Sequence, residues 1–143
     1  MPLAGFDFML LSLDGTSRVE PLLQTPFDER NAEISPDGRW MAYASNETGR
    51  YEVWLEPFPR TGARYRLTQD GGSHPLWRPD GQSLYFDRDQ QLFQLAVNVR
   101  DPGVSRTPEA LPIKGFIQGE YRRQYDLTAN GRQFLMLFPP TDR

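Results

Sequence analysis

Ile34-Ser35-Pro36-Asp37-Gly38-Arg39-Trp40-Met41-Ala42-Tyr43 decides the fold, because it returns twice. The copies are Trp77-Arg78-Pro79-Asp80-Gly81-Gln82-Ser83-Leu84-Tyr85-Phe86 and Leu127-Thr128-Ala129-Asn130-Gly131-Arg132-Gln133-Phe134-Leu135-Met136. Pro36 and Pro79 fix φ near −65° at the first turn position, and Asp37 and Asp80 suit the second. Gly38, Gly81 and Gly131 then accept the positive φ that a three-residue hairpin with a G1 bulge requires. Asn130 replaces the aspartate in the third copy. Each copy therefore reads as strand, tight turn, strand, and the glycines stand 43 and then 50 residues apart, in or close to the period of a four-stranded propeller blade.

The strands after the turns, Trp40 to Ala44, Leu84 to Phe86 and Phe134 to Phe138, are short apolar runs without clean alternation, so cover is expected on both faces. Between the turns lies a second repeated half. Tyr51 to Phe58 reads as a strand, Pro59-Arg60-Thr61-Gly62 as a turn, and Ala63 to Thr68 as a charged outer strand. The same order runs earlier through Phe6 to Leu13, Asp14 to Ser17 and Arg18 to Leu23. It runs later through Gln91 to Val99, a proline-bearing loop from Arg100 to Pro108, and Ala110 to Ile113. With strands lettered a to d outward from an axis, the chain reads c-d, a-b-c-d, a-b-c-d, a-b. The expectation is an all-β propeller segment of three four-stranded blades, one of them split between the termini. The units are residues 1–30 (c-d), 31–70 and 71–113 (full blades) and 114–143 (a-b).

A chain of 143 residues suits one such domain. Aromatics at 13% and a net charge of −3 argue against disorder. Twelve glycines and thirteen prolines without a period of three fit many turns. No apolar run is long enough to span a membrane as a helix. The opening Met1 to Asp7 lacks the basic start of a secretory leader, so a cytoplasmic setting is the default expectation and a periplasmic one follows if the chain is processed. The absence of cysteine removes disulfides, thiolate catalysis and Cys-type zinc sites. Basic residues are dispersed, which gives no nucleic-acid footprint.

Ser35-Pro36-Asp37-Gly38-Arg39 and Trp77-Arg78-Pro79-Asp80-Gly81-Gln82, with Arg66-Leu67-Thr68 ahead of Gly71-Gly72-Ser73-His74-Pro75, resemble the TolB-type, WD-like family of β-propeller repeats. The third copy departs from that pattern by losing its proline and tryptophan. The resemblance covers nearly the whole chain and is specific for architecture rather than activity. It implies a non-catalytic binding scaffold. The alternative it implies is an accessory or sensor propeller fragment of a larger peptidase or protein kinase, since family members include TolB-like proteins and propellers attached to both; the closing blade is similar to those of the kinase-linked group.

Propellers close with about four to eight blades, and an arc of three leaves an apolar face at each end. Two chains supply six, with the c-d hairpin of one joining the a-b hairpin of the other. The expected partner is therefore a second copy, through an interface above roughly 2,000 Å².

No catalytic motif is present, and neither a cofactor nor a metal is expected. His74, the only histidine, follows Ser73 in the loop entering an a strand, where neighbouring side chains diverge and Ser73 is no natural nucleophile for it. A hydrogen-bonding role at the propeller mouth fits better. Tyr121-Arg122-Arg123 with Lys114 forms a basic, aromatic loop, a candidate site for an anionic ligand or acidic partner. The candidate channel is lined by Asn31 to Ser35, His74 to Trp77 and Gln124 to Leu127. Asp37, Asp80 and Asn130 are read as turn residues rather than metal ligands. Asp87-Arg88-Asp89 is read as a solvated b-c loop, and Asn46-Glu47-Thr48, a glycosylation sequon, as an ordinary turn. Trp40, Trp54 and Trp77 are read as core or inter-blade packing.

Overall fold

The computed structural model describes residues 5–104 and 106–141. The reading of Met1 to Ala4, and the centre of the Arg100–Pro108 loop at Ser105, lie outside the described residues. The ordered elements are twelve strands: β1 (Phe8–Leu11), β2 (Val19–Leu23), β3 (Glu29–Ile34), β4 (Trp40–Ser45), β5 (Glu52–Pro57), β6 (Tyr65–Arg66), β7 (Ser73–Trp77), β8 (Ser83–Arg88), β9 (Gln91–Ala96), β10 (Glu109–Lys114), β11 (Tyr125–Leu127) and β12 (Phe134–Met136). They pair antiparallel in chain order as β1-β2, β3-β4-β5-β6, β7-β8-β9-β10 and β11-β12. Two complete four-stranded sheets thus stand between two separate hairpins.

The three repeated turns have one geometry. Gly38, Gly81 and Gly131 sit at φ 77°, 71° and 73°. Their N–H groups donate to Ser35, Arg78 and Thr128 carbonyls at 2.9, 2.8 and 2.8 Å. Asp37, Asp80 and Asn130 each accept, through Oδ1, the N–H two residues onward at 3.0, 2.9 and 3.0 Å. That shared bond is why a short side-chain acceptor recurs there. The turns also touch one another around the arc. A Cβ on Gly81 would stand 3.8 Å from Pro36 Cδ, and one on Gly131 3.2 Å from Pro79 Cδ. Gly81→Val puts a β-branched residue at positive φ and is expected to destabilise the fold by about 1–3 kcal/mol. Urea titration checks this, and an unchanged midpoint would refute the hairpin geometry.

Three apolar clusters lie between the sheets. Ala42, Val53 and Leu55 meet Trp77, Leu84, Phe86 and Leu95 between the two complete sheets. Leu76, Tyr85 and Leu92 meet Phe116 and Tyr125, with Leu127, Phe134 and Met136 from the last hairpin at their margin. Met41 and Tyr43 meet Leu23, with Phe8 and Leu22 of the first hairpin and Trp54 packed alongside. β4 and β8 are buried on both faces, as expected for sheets stacked face to face. β12 is not: Leu135 is 74% exposed and Leu137 50%, because no sheet covers that side. The outer strand expected over Ala63 to Thr68 shrinks to Tyr65–Arg66, since Arg64 turns inward to Glu47 and stacks 4.4 Å over Trp54. Trp77 is buried and its indole N–H donates to the Glu33 carbonyl at 2.9 Å, confirming a packing role.

Candidate functional site

β3 and β7 are the a strands of the two complete sheets, and both are broken at the same point of the repeat. Asn31 and His74 each precede their turn glycine by seven residues, and each has positive φ, 58° and 55°. The strand registers shift there, between Arg30 and Glu33 and between Ser73 and Leu76. Such bulges re-aim side chains that regular pleating would send sideways.

At the second bulge, His74 is 2% exposed. Its Nδ1 lies 2.8 Å from Asp87 Oδ2, and Gln118 Nε2 donates to Asp87 Oδ1 at 2.6 Å. Gln90 N–H donates to Gln118 Oε1 at 2.8 Å. The Tyr125 hydroxyl donates to the His74 carbonyl at 2.6 Å. Burial first, and the Asp87 charge after it, hold the Tyr125 phenol well above the usual tyrosine range, so it stays a neutral donor. His74 Nε2 is enclosed without a hydrogen-bond partner.

Asp87 is therefore a correction: it belongs to β8 and is buried, not part of a solvated loop. The β8-β9 reversal falls two residues later, where Asp89 and Gln90 have φ 53° and 59°, the paired positive angles of a type I′ turn.

At the first bulge, the Asn31 amide donates to the Tyr121 carbonyl at 2.8 Å. The Arg30 guanidinium stacks 4.4 Å over Tyr121 and 4.8 Å over Tyr51, and its Nε donates to Asp28 at 2.7 Å. Burial opposes ionisation of Asp28, yet bonds from Tyr51, the Phe6 N–H and Arg30 hold its carboxyl below the usual range. Between the two bulges opens a polar depression of about 510 Å³, with Arg30, Tyr51, Ser73, His74, Gln118 and Glu120 on its wall.

The candidate residues from the sequence divide accordingly. Ser73 and His74 line this depression. Tyr121 reaches its rim by stacking on Arg30. Arg123 is bound to Glu33, lies 3.7 Å from Asp126, and donates to the Tyr125 carbonyl at 2.7 Å. Arg122 is exposed beside it. Lys114 lies at the exposed end of β10. Sequence reading missed Asp87, Gln118 and Arg30. Only the apolar frame around Asp87 in Leu84-Tyr85-Phe86 signalled its burial. Among the described residues no group of three or more His, Asp or Glu side chains is placed to hold a metal ion, and no helix is long and apolar enough to cross a membrane.

No family model matches the chain, and no curated protein does. Solved structures do. A protein assigned as TolB from Agrobacterium tumefaciens superposes with a TM-score of 0.58 at 21% identity, over 73% of this chain and 40% of that one. TolB from Acinetobacter baumannii superposes at 0.56 and 19% identity, over 94% of this chain and 43% of that one. The chain thus has a TolB-like β-propeller fold, and it spans about two fifths of the length of these relatives.

Proposed function

We propose that this chain is a non-catalytic binding scaffold, a three-blade arc of a six-bladed propeller that presents the polar depression between its a strands to a ligand. The observation that carries this is the bonding around His74. Its Nδ1 faces Asp87, while its Nε2 is walled in and meets no hydroxyl, so the imidazole has no reachable nucleophile to activate. The network instead fastens β7, β8 and the segment at Gln118, holding the wall rigid, as a preorganised binding surface requires. Hydrogen-bonding groups of both signs line the opening, which suits a small polar molecule or an extended peptide. The alternative reading, an accessory or sensor segment of a larger peptidase or kinase, draws on the chain's length relative to its structural neighbours.

Ligand-observed NMR against a set of free amino acids, monosaccharides and tripeptides tests the scaffold. Binders are expected whose affinity falls at least about tenfold in Ser73→Trp, which fills the depression. Turnover of generic ester, peptide or lactone substrates that His74→Ala abolishes would overturn the non-catalytic reading.

A further inference from the structure

The two ends of the arc are complementary halves of one unit. The main-chain bonds show which edges are free. Leu137 N–H donates to Gln124 O and Thr128 N–H to Gln133 O, so along β12 the groups of residues 133, 135 and 137 face β11 while those of Phe134 and Met136 face outward. Ser12 N–H donates to Arg18 O, so Leu10 faces β2, and Met9 and Leu11 turn their groups to the open edge of β1. Inside the complete sheets the b strand presents the same positions to the c strand. Phe58 N–H bonds Arg39 O, and Val97 N–H bonds Gln82 O, which alternates onto Tyr43 and Phe86, five residues past their turn glycines. Met136 is the fifth residue past Gly131.

Packing fixes the register. On c strands, Val53 lies opposite Ala44 and Leu92 opposite Asp87, in each case the sixth residue past the glycine. Val53 shares a cluster with the next sheet's fifth residue, Phe86. Phe8 meets the next sheet's fifth residue, Tyr43, with ring centroids 5.7 Å apart. Phe8 is therefore the Val53 of its strand, and its partner is the sixth residue past Gly131, Leu137. The pairing follows as Phe8–Leu137, Met9–Met136, Leu10–Leu135 and Leu11–Phe134.

We propose that a second copy of this chain completes each end, forming two composite blades β11-β12-β1-β2 with strands from both copies in that register. The proposal names the partner that closes the ring assumed above and rests on that reading for its function alone.

Three observations mark the surfaces that the second copy would cover. Exposed apolar side chains sit on both ends: Met9 and Leu11 on β1, Leu135 and Leu137 around β12. Ile34, paired with Met41 on the sheet face toward the first hairpin, is 44% exposed, where the missing a and b strands would lie. A groove of about 480 Å³ along β11-β12, lined by Leu135, Met136 and Leu137, is placed to take it. The ladder of turns stops at the same end, since a Cβ on Gly38 meets nothing within 4 Å, and Ala129 of the other copy occupies the position that Pro36 and Pro79 fill elsewhere. Two such arcs give six blades, inside the range of about four to eight, whereas one gives three and three give nine.

The native chain lacks cysteine, so engineered pairs report cleanly. Leu10→Cys with Leu135→Cys places two thiols at a directly opposed, non-hydrogen-bonded pair, where Cα atoms stand about 4.5 Å apart. Mild oxidation should convert most of this variant to a covalent species of twice 16.5 kDa. Leu11→Cys with Leu135→Cys points the thiols to opposite faces and should link at least about tenfold more slowly. Light scattering on the native chain at ~10 μM should give the dimer mass, and Leu135→Lys, at a site open in the isolated arc, should give a folded monomer. A folded native monomer, or a dimer in which the control pair links as fast as the test pair, overturns the proposal. A linked dimer that binds none of the NMR probes removes the scaffold reading and leaves closure standing; a monomer that binds them does the reverse.

Discussion

Phe86→Ala should lower the stability of the chain by about 3–5 kcal/mol, the usual cost of emptying a phenylalanine site in a closed core. Phe86 is completely buried on β8 and stacks on Phe93 with ring centroids 5.3 Å apart. Across the seam, a Cβ on Gly72 would stand 3.1 Å from Val53 Cγ2 and 3.2 Å from Phe86 Cδ2. A side chain at 72 would thus press on both Val53 and Phe86, which would have to shift by a few tenths of an ångström to admit it. Because backbone approach sets that seam, the surroundings relax little and the cavity term stays large. In thermal melts the loss corresponds to a drop on the order of 10 °C. Leu13→Ala, at a side chain 90% exposed, should stay within about 0.5 kcal/mol of the native chain. A loss below about 1 kcal/mol for Phe86→Ala would mean the two complete sheets are not held by one continuous core.

What the sequence made legible, and what it did not, follows from the range of the interactions. The turns are local: Pro36, Asp37 and Gly38 fix their own dihedrals and bonds, so one copy sufficed to read the other two. Strand order followed from the repeat, and the permuted c-d start needed no tertiary information. The ion pair of Arg123 was not legible because its partner Glu33 is ninety residues away, and a paired cation looks the same in sequence as a free one. Asp87 failed because the b-c loop was read over Asp87-Arg88-Asp89, whereas β8 runs on to Arg88 and the reversal takes Asp89 and Gln90, which moves a carboxylate from solvent to core. β12 departs from the cover its apolar run suggested, since Leu135 and Leu137 stay exposed at the open end that an arc of three blades was expected to leave. That mismatch between an apolar pattern and an exposed strand is one of the observations the proposed closure by a second copy rests on.

Three glutamates in the core, Glu29, Glu52 and Glu56, carry the remaining large effect. Glu52 and Glu56 both lie on β5, and both are enclosed. Glu52 accepts from the Thr68 hydroxyl at 2.8 Å and the Gly71 N–H at 2.6 Å, so it ties β5 to the entry of β7. Glu56 accepts from the Tyr43 hydroxyl at 2.6 Å and from Arg60 Nε at 2.7 Å, with Arg64 Nε 3.7 Å away. Burial, and the bond to Glu56 after it, raise the Tyr43 phenol far above the usual range, so it stays a neutral donor near neutral pH. Glu56→Ala leaves that hydroxyl without an acceptor and the Arg60 guanidinium without a counter-charge, while Arg64 keeps Glu47. Breaking a fully buried pair costs about 3–5 kcal/mol; because Arg60 and Arg64 keep about 30% of their side-chain surface in water, roughly 2–4 kcal/mol is expected. Glu56→Gln keeps the shape and an acceptor for Tyr43 but loses the charge, and should cost about half as much. Tyr43→Phe removes one hydrogen bond, about 1 kcal/mol. Chemical denaturation of the three variants should rank them in that order. Equal stability of Glu56→Gln and the native chain would assign the carboxylate to hydrogen-bond geometry alone and remove the charge from the account of this core.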